Sequence, residues 1–153
     1  MKSLMIITAI VLSAFIIRAE AQLRTNPQVH TYSIFARDLQ TGKMGVAVQS
    51  HWFSVGSIVT WAEAGVGAIA TQSLVNPAFG PDDLKLSKKG KTAQEALKIL
   101  IDADDGHDYR QLAIVDAHGN VATWTGPKCI AAAGHIIGDS FSVQANMMLN
   151  DKV

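Results

Sequence analysis

Ser50-His51 is the first place where residue types suggest a nucleophile beside a base. Adjacent residues of a strand point to opposite faces, however, so the two side chains do not meet directly. Four amides, Gln72, Asn76, Gln144 and Asn146, fall near expected strand ends. Amides offer paired donors and acceptors, which suits them to lining a pocket and binding a carbonyl or amide substrate; capping of loop backbone is the competing use. Asp102, Asp104, Asp105 and Asp108 crowd around Gly106, but a calcium loop needs glycine sixth and an acid twelfth. That spacing is not met, a helix-ending turn is expected instead, and no metal site is assigned. His118 falls in a turn and His135 has no partner visible in sequence. Cys129 is the only cysteine, reads as a small core hydrophobe, and precludes an internal disulfide. Gly65-Val-Gly67 is short of both the dinucleotide and the phosphate-loop patterns, and no cofactor is expected.

The elements that must position these residues follow from pattern. Thr31–Asp38 and Lys43–Ser50, joined across Leu39–Gly42, read as a β-hairpin. Pairing Asp38 with Lys43 sets Phe35 opposite Val46, Ser33 opposite Val48 and Thr31 opposite Ser50. Both faces of this hairpin are apolar or small, so cover on both sides is expected. Ser57–Glu63 and Val66–Gln72 form a second hairpin, with Glu63 opposite Val66 and Trp61 against Ala68. Pro81–Lys89 predicts a short helix. Thr92-Ala-Gln-Glu95 is a capping-box pattern opening a helix from about Ala93 to Ala103. Arg110–Val115 and Asn120–Thr125 make a third hairpin, and Phe141–Met147 a last strand. Consecutive hairpins with helices give an α+β layered sandwich of antiparallel sheets.

Before this body, Met1-Lys2 is followed by the apolar run Leu4–Ile17 and by Ala19-Glu20-Ala21, the signature of a cleaved signal peptide over residues 1–21. The run is shorter than the ~20 residues that cross a bilayer, so membrane association is expected only through an uncleaved signal. Export, to a secreted or periplasmic location, is the expectation. Residues 22–30 read as a polar leader and 31–153 as one domain. Lys+Arg and Asp+Glu both number 13, giving zero formal net charge. Without a concentrated positive face, nucleic-acid binding is excluded.

Thr31-Tyr-Ser-Ile-Phe-Ala-Arg-Asp, Thr41-Gly-Lys-Met-Gly-Val-Ala-Val, Trp61–Gln72, Asn76-Pro-Ala-Phe-Gly80, Arg110-Gln-Leu112, Gly134-His135 and Phe141–Met147 together resemble the domain-of-unknown-function 1028 family, from Thr31 to the C-terminus. The resemblance implies an N-terminal-nucleophile-hydrolase-like αββα sandwich, two antiparallel sheets between helix layers. Members continue past the point where this chain stops, so a C-terminally truncated product is an expectation too. The resemblance also implies a chemistry: a Thr, Ser or Cys first in the mature chain attacks an amide carbonyl while its own α-amine takes the hydroxyl proton. Thr31 is then the candidate nucleophile, with Ser33 weaker and Ser50 opposite Thr31. Residues 22–30 must first be removed to free the Thr31 amine, and the lysine that proteasome-like members carry on the third strand has no counterpart in Ser57–Glu63. Two functions remain open: an exported amide-bond hydrolase acting on a small amide or peptide-like substrate, and a non-catalytic ligand- or partner-binding protein on the same fold. A homo-oligomer is compatible with either.

Overall fold

The computed structural model describes residues 30–151. The expected signal peptide and most of the leader, residues 1–29, lie outside the described residues. β1 (Thr31–Arg37) and β2 (Met44–Ser50) pair antiparallel with Thr31 opposite Ser50, Ser33 opposite Val48 and Phe35 opposite Val46, as expected. The turn is held by Asp38, whose Oδ1 accepts the backbone N–H groups of Gln40 and Thr41, each at 2.8 Å.

The second hairpin departs from expectation twice. Ser57–Val59 is not strand but part of a short helical turn, α1 (Gly56–Val59), and β3 is only Thr60–Glu63. The Ser57 hydroxyl donates to Ser54 O at 3.0 Å and the Thr60 hydroxyl to Gly56 O at 2.9 Å, local bonds that compete with a strand ladder. Against β4 (Gly67–Ser73), Glu63 faces Gly67 and Trp61 faces Ile69, a slip of one residue. Val66 N donates to Glu63 O at 3.0 Å, and Gly65 takes φ 73°, so the loop holds three residues rather than two. A one-residue slip exchanges faces. Trp61 therefore packs with the helices, its ring over Gly80, and not against Ala68.

α2 (Phe79–Lys88) starts two residues before the expected Pro81. α3 (Ala93–Asp102) opens with the capping box in place: Glu95 N donates to Thr92 Oγ1 at 3.3 Å, and Thr92 N to Glu95 Oε2 at 3.0 Å. A 3-10 turn, His107–Tyr109, leads into β5 (Arg110–Asp116), followed by β6 (Val121–Thr125). β7 (Gly134–Gly138), a strand that sequence reasoning missed, precedes β8 (Phe141–Asn146).

The protein is an α+β structure of two antiparallel four-stranded sheets, ordered β2-β1-β8-β7 and β3-β4-β5-β6. Phe35, Ala68, Ala113 and Val115 pack between the sheets at one end. Ile69, Leu112 and Ile114 pack instead against Phe79, Ala93, Ala96 and Leu100 of α2 and α3, so this sheet is sandwiched. The first sheet is not. Thr31, Ser33 and Phe35 are buried, while Tyr32 and Ile34, on the opposite face, are 46% and 44% exposed, and Ile136 is 53% exposed. Cover on both sides, expected from the apolar pattern, is thus supplied to only one sheet among the described residues, because both helices go to the β3-β4-β5-β6 sheet. Among the described residues no helix is long and apolar enough to cross a membrane.

Candidate functional site

The space between the sheets changes character along its length. Where β1 ends and β4 begins it is the apolar cluster around Phe35. At the other end, where β1 begins and β4 and β8 finish, it is filled by hydroxyls and amides. Side chains alternate along each strand, so Gln111 takes the same sheet-facing side as Ala113 and Val115, Gln72 the same side as Ala68, and Asn146 the same side as Gln144.

Gln111 is the hub. Its Nε2 lies 3.0 Å from Gly134 O, 3.1 Å from Ala145 O and 2.9 Å from Thr125 Oγ1. Backbone carbonyls only accept, which fixes which end of the Gln111 amide is nitrogen. Its Oε1 must therefore accept, and it does so from Gln72 Nε2 at 2.7 Å and Asn146 Nδ2 at 3.1 Å. Gln72 and Asn146 are turned by this arrangement: each gives its N–H to Gln111, and Gln72 Oε1 and Asn146 Oδ1 are buried without a partner among the described residues.

Beside them, Thr31 Oγ1 and Ser50 Oγ lie 2.7 Å apart, across the register that the hairpin imposes. Ser50 Oγ also accepts the backbone N–H of Trp52 at 3.2 Å. Thr31, Ser50, Gln72 and Asn146 all line one cleft of about 400 Å³, within the range of small-molecule sites. Apart from Ser73 the rest of its lining is apolar, with Trp52 and Phe53 exposed at its rim (65% and 99%). Among the described residues none lining it is titratable, so none of their side chains there supplies a base for either hydroxyl. The nitrogen of Thr31 is joined to His30, whose Nδ1–H donates to Met147 O at 3.2 Å. The residues that follow Gln72 and Asn146, Ser73 and Met147, both hold positive φ, 67° and 58°. Such backbone costs about 1–3 kcal/mol at a non-glycine residue and clusters at sites that need a fixed geometry.

Four of the seven residues singled out from sequence thus come together. Ser33 and Gln144 sit deeper: Ser33 Oγ donates to Gln144 Oε1 at 2.8 Å, Gln144 Nε2 contacts Ser142 Oγ, and Ser33 and Gln144 are outside the cleft lining. Asn76 lies apart, its Oδ1 accepting Ala78 N at 3.2 Å at the approach to α2, which is the loop-capping use. His51 is exposed and its ring lies against Trp52 at 5.2 Å; it does not serve Ser50. Sequence reasoning missed Gln111, although a glutamine in step with Ala113 and Val115 was the signal. It also missed the Thr125 Oγ1–His135 Nδ1 contact at 2.8 Å, where burial lowers the His135 pKa.

Other chemistry-bearing groups have structural partners. Arg110 Nε donates to Asp104 Oδ2 at 2.7 Å, Lys128 pairs with Asp108 at 3.0 Å, and the acids around Gly106 finish a helix as expected. The Cys129 thiol donates to Arg110 O at 3.0 Å, and burial pushes its pKa up, which disfavours the reactive thiolate. Asp116 Oδ1 accepts His118 N and Asn120 N, and its Oδ2 accepts Ala93 N and Asn120 Nδ2, all between 2.8 and 3.1 Å. Burial alone would raise its pKa, but these bonds hold it below the ordinary value. Asp83 differs. It is fully buried, neither carboxylate oxygen has a partner among the described residues, and desolvation, with the Asp116 charge added, pushes its pKa up to about 7.

Comparison with known proteins places this fold. No curated protein matches the chain. The crystal structure of the protein SPO2555 from Silicibacter pomeroyi, itself assigned to the DUF1028 family, superposes with a TM-score of 0.74 at 30% identity. The match covers 78% of this chain and 53% of that one, so the chain spans about half the length of this relative. The sequence pattern of the family of unknown function DUF1028 matches residues 31–153, which include both sheets and every residue of the cleft. The chain belongs to the DUF1028 family.

Proposed function

We propose that the protein is an exported amide-bond hydrolase of the N-terminal-nucleophile type, on the αββα fold of that superfamily, with Thr31 as its nucleophile. The observation that carries this reading is the position of Thr31: the first residue of β1, its hydroxyl 2.7 Å from Ser50 Oγ and lining a largely apolar cleft that holds no titratable side chain among the described residues. A threonine hydroxyl needs a base to attack, and in such a cleft the one group that could reach it is its own α-amine, whose ordinary pKa of about 7.7–8.0 suits the task. Removal of the leader through His30 would free that amine. Thr31 Oγ1 would then bond to the carbonyl carbon of an amide as its proton passes to the amine; the proton is handed to the departing nitrogen, the C–N bond breaks, and water hydrolyses the ester left on Thr31. Ser50, held by the Trp52 N–H, would orient the Thr31 hydroxyl. Export rests on the apolar run Leu4–Ile17 and the small-residue cut site Ala19-Glu20-Ala21.

The test is the intact mass of the secreted protein together with release of arylamine from a panel of acyl anilides. A chain starting at Thr31 and turnover lost by on the order of a thousandfold or more in Thr31→Ala support the proposal. A stable chain that keeps residues 22–30 and releases no arylamine refutes it. The second reading, a non-catalytic ligand- or partner-binding protein, is favoured by one feature: His30 is bonded to Met147 O, which ties the leader's end to the residue after β8. Under that reading the same cleft binds without cutting.

A further inference from the structure

We infer that the cleft selects ligands that present N–H donors on an apolar body, and discriminates against esters and carboxylates of the same shape. The inference rests on the reading that this cleft is the ligand site, but not on Thr31 being a nucleophile. Amide side chains carry both donors and acceptors, and the network removes half of that offer. Gln111 is fixed by the Gly134 and Ala145 carbonyls, and it draws the Nε2 of Gln72 and the Nδ2 of Asn146 to its own oxygen. What remains is a pair of acceptors, Gln72 Oε1 and Asn146 Oδ1, buried and without partners, on two residues that line the cleft.

A buried polar atom without a hydrogen bond is destabilising, and a ligand that satisfies it recovers what is lost. A site built in this way also rejects the analogue that lacks the complementary group, because its own polar atoms stay unpaired. An ester oxygen or a carboxylate can accept from the Thr31 or Ser50 hydroxyl but carries no hydrogen to give to the two amide oxygens. A primary amide carries two N–H groups, matching the number of free oxygens. Apolar neighbours supply the other half of the recognition: Val59 is buried, while Ile58, Leu74, Trp52 and Phe53 are exposed on the cleft's walls and rim. Exposed apolar side chains gathered around a concavity mark a place where an apolar surface docks. Their chemistry suits a phenyl or short aliphatic group.

Three probes of nearly one shape test this: 4-phenylbutyramide, methyl 4-phenylbutyrate and 4-phenylbutyrate, each titrated calorimetrically into the purified chain. The amide should bind at least about tenfold more tightly than the ester, as expected when one otherwise unpaired buried acceptor is satisfied, with the carboxylate weakest. In Asn146→Leu the preference for amide over ester should shrink to about twofold. If Asn146→Leu fails to fold, the order of the three probes on the unaltered protein decides alone. Equal affinity for amide and ester, tighter binding of the carboxylate, or no binding of any probe at millimolar concentration overturns the inference. The same order of probes on the unaltered protein, alongside no arylamine release by that protein from any anilide, would sink the hydrolase reading while leaving this one standing.

Discussion

Asp83→Asn should stabilise the protein at neutral and alkaline pH and leave it nearly unchanged in acid. Asp83 is fully buried on α2, and neither of its oxygens has a partner. Desolvation disfavours its charged form, and the neighbouring Asp116 carboxylate adds repulsion, so its pKa rises from 3.8 to about 7. The native state therefore holds a proton that the unfolded chain releases between about pH 4 and pH 7. Stability rises with pH only where the unfolded state binds more protons; here the folded state does, so this group makes stability fall through that window. The carboxyl is least costly below the unfolded value of 3.8 and most costly above about 7. At about 1.4 kcal/mol per pKa unit, the full span is worth about 4 kcal/mol, an upper bound because burial relaxes. Asparagine keeps the shape and cannot ionise. Urea unfolding of both proteins from pH 4 to pH 8.5 gives the measurement. The two stability curves should meet near pH 4 and separate by up to about 4 kcal/mol at pH 8, with the asparagine variant above. Parallel curves, or a variant less stable at every pH, would refute the claim that an ionising Asp83 is what stability pays for at neutral pH.

Gln111→Leu should cost at least about 3 kcal/mol in urea unfolding, because it strands Gln72 Nε2, Asn146 Nδ2 and the Gly134 and Ala145 carbonyls in the interior; a loss under 1 kcal/mol would show that the amides rearrange around the gap. Gly80→Ala places a Cβ 2.2 Å from the Trp61 ring, and overpacking of that kind costs about 1–3 kcal/mol, outweighing alanine's better helix propensity. Gly45→Ala, with nothing within 4 Å, serves as its control, and equal midpoints for the two variants would contradict the packing of Trp61. Ile136→Lys, on the open face of the first sheet, should change stability by no more than about 0.5 kcal/mol; a loss above about 1.5 kcal/mol by thermal unfolding would mean that something covers this face.

The first hairpin was legible to the residue because two independent constraints agree on it: the turn residues of Asp38–Gly42 and the alternation of Thr31, Ser33 and Phe35. The capping box of α3 was equally plain, being a local signal with a local cause. The second hairpin failed where local hydrogen bonding won over strand propensity, at Ser57 and Thr60, and where Gly65 allowed a three-residue loop. β7 was missed because Gly134-His135-Ile136-Ile137-Gly138 is short, bounded by glycines, and among the described residues pairs with β8 alone. Of the site, Thr31, Ser50, Gln72 and Asn146 were visible as residue types near strand ends. The hub was not, since a glutamine's importance depends on which carbonyls the far sheet brings to it. Nor could any pattern tell that the amide nitrogens would be consumed and the oxygens left free.

The two ends of the inter-sheet space also weigh on whether the cleft is a site at all. A sequence shaped only for stability would continue the apolar packing of Phe35, Ala113 and Val115 to the far end of the sheets. Instead, Gln72, Gln111, Gln144 and Asn146 occupy those positions, each nearly or fully buried, and two non-glycine residues, Ser73 and Met147, adopt the left-handed conformation directly after Gln72 and Asn146. Taken as a set, the buried amides and the two left-handed residues cost more than an apolar fill of the same shape, and places where local rules are broken together are those where function constrains the fold. The network is satisfied inward, toward Gly134 and Ala145, and unsatisfied only at the two oxygens of residues lining the cleft. A purely structural network would gain from closing that last pair. Leaving it open makes sense when another molecule completes it, and that holds whether Thr31 cuts the molecule or only touches it.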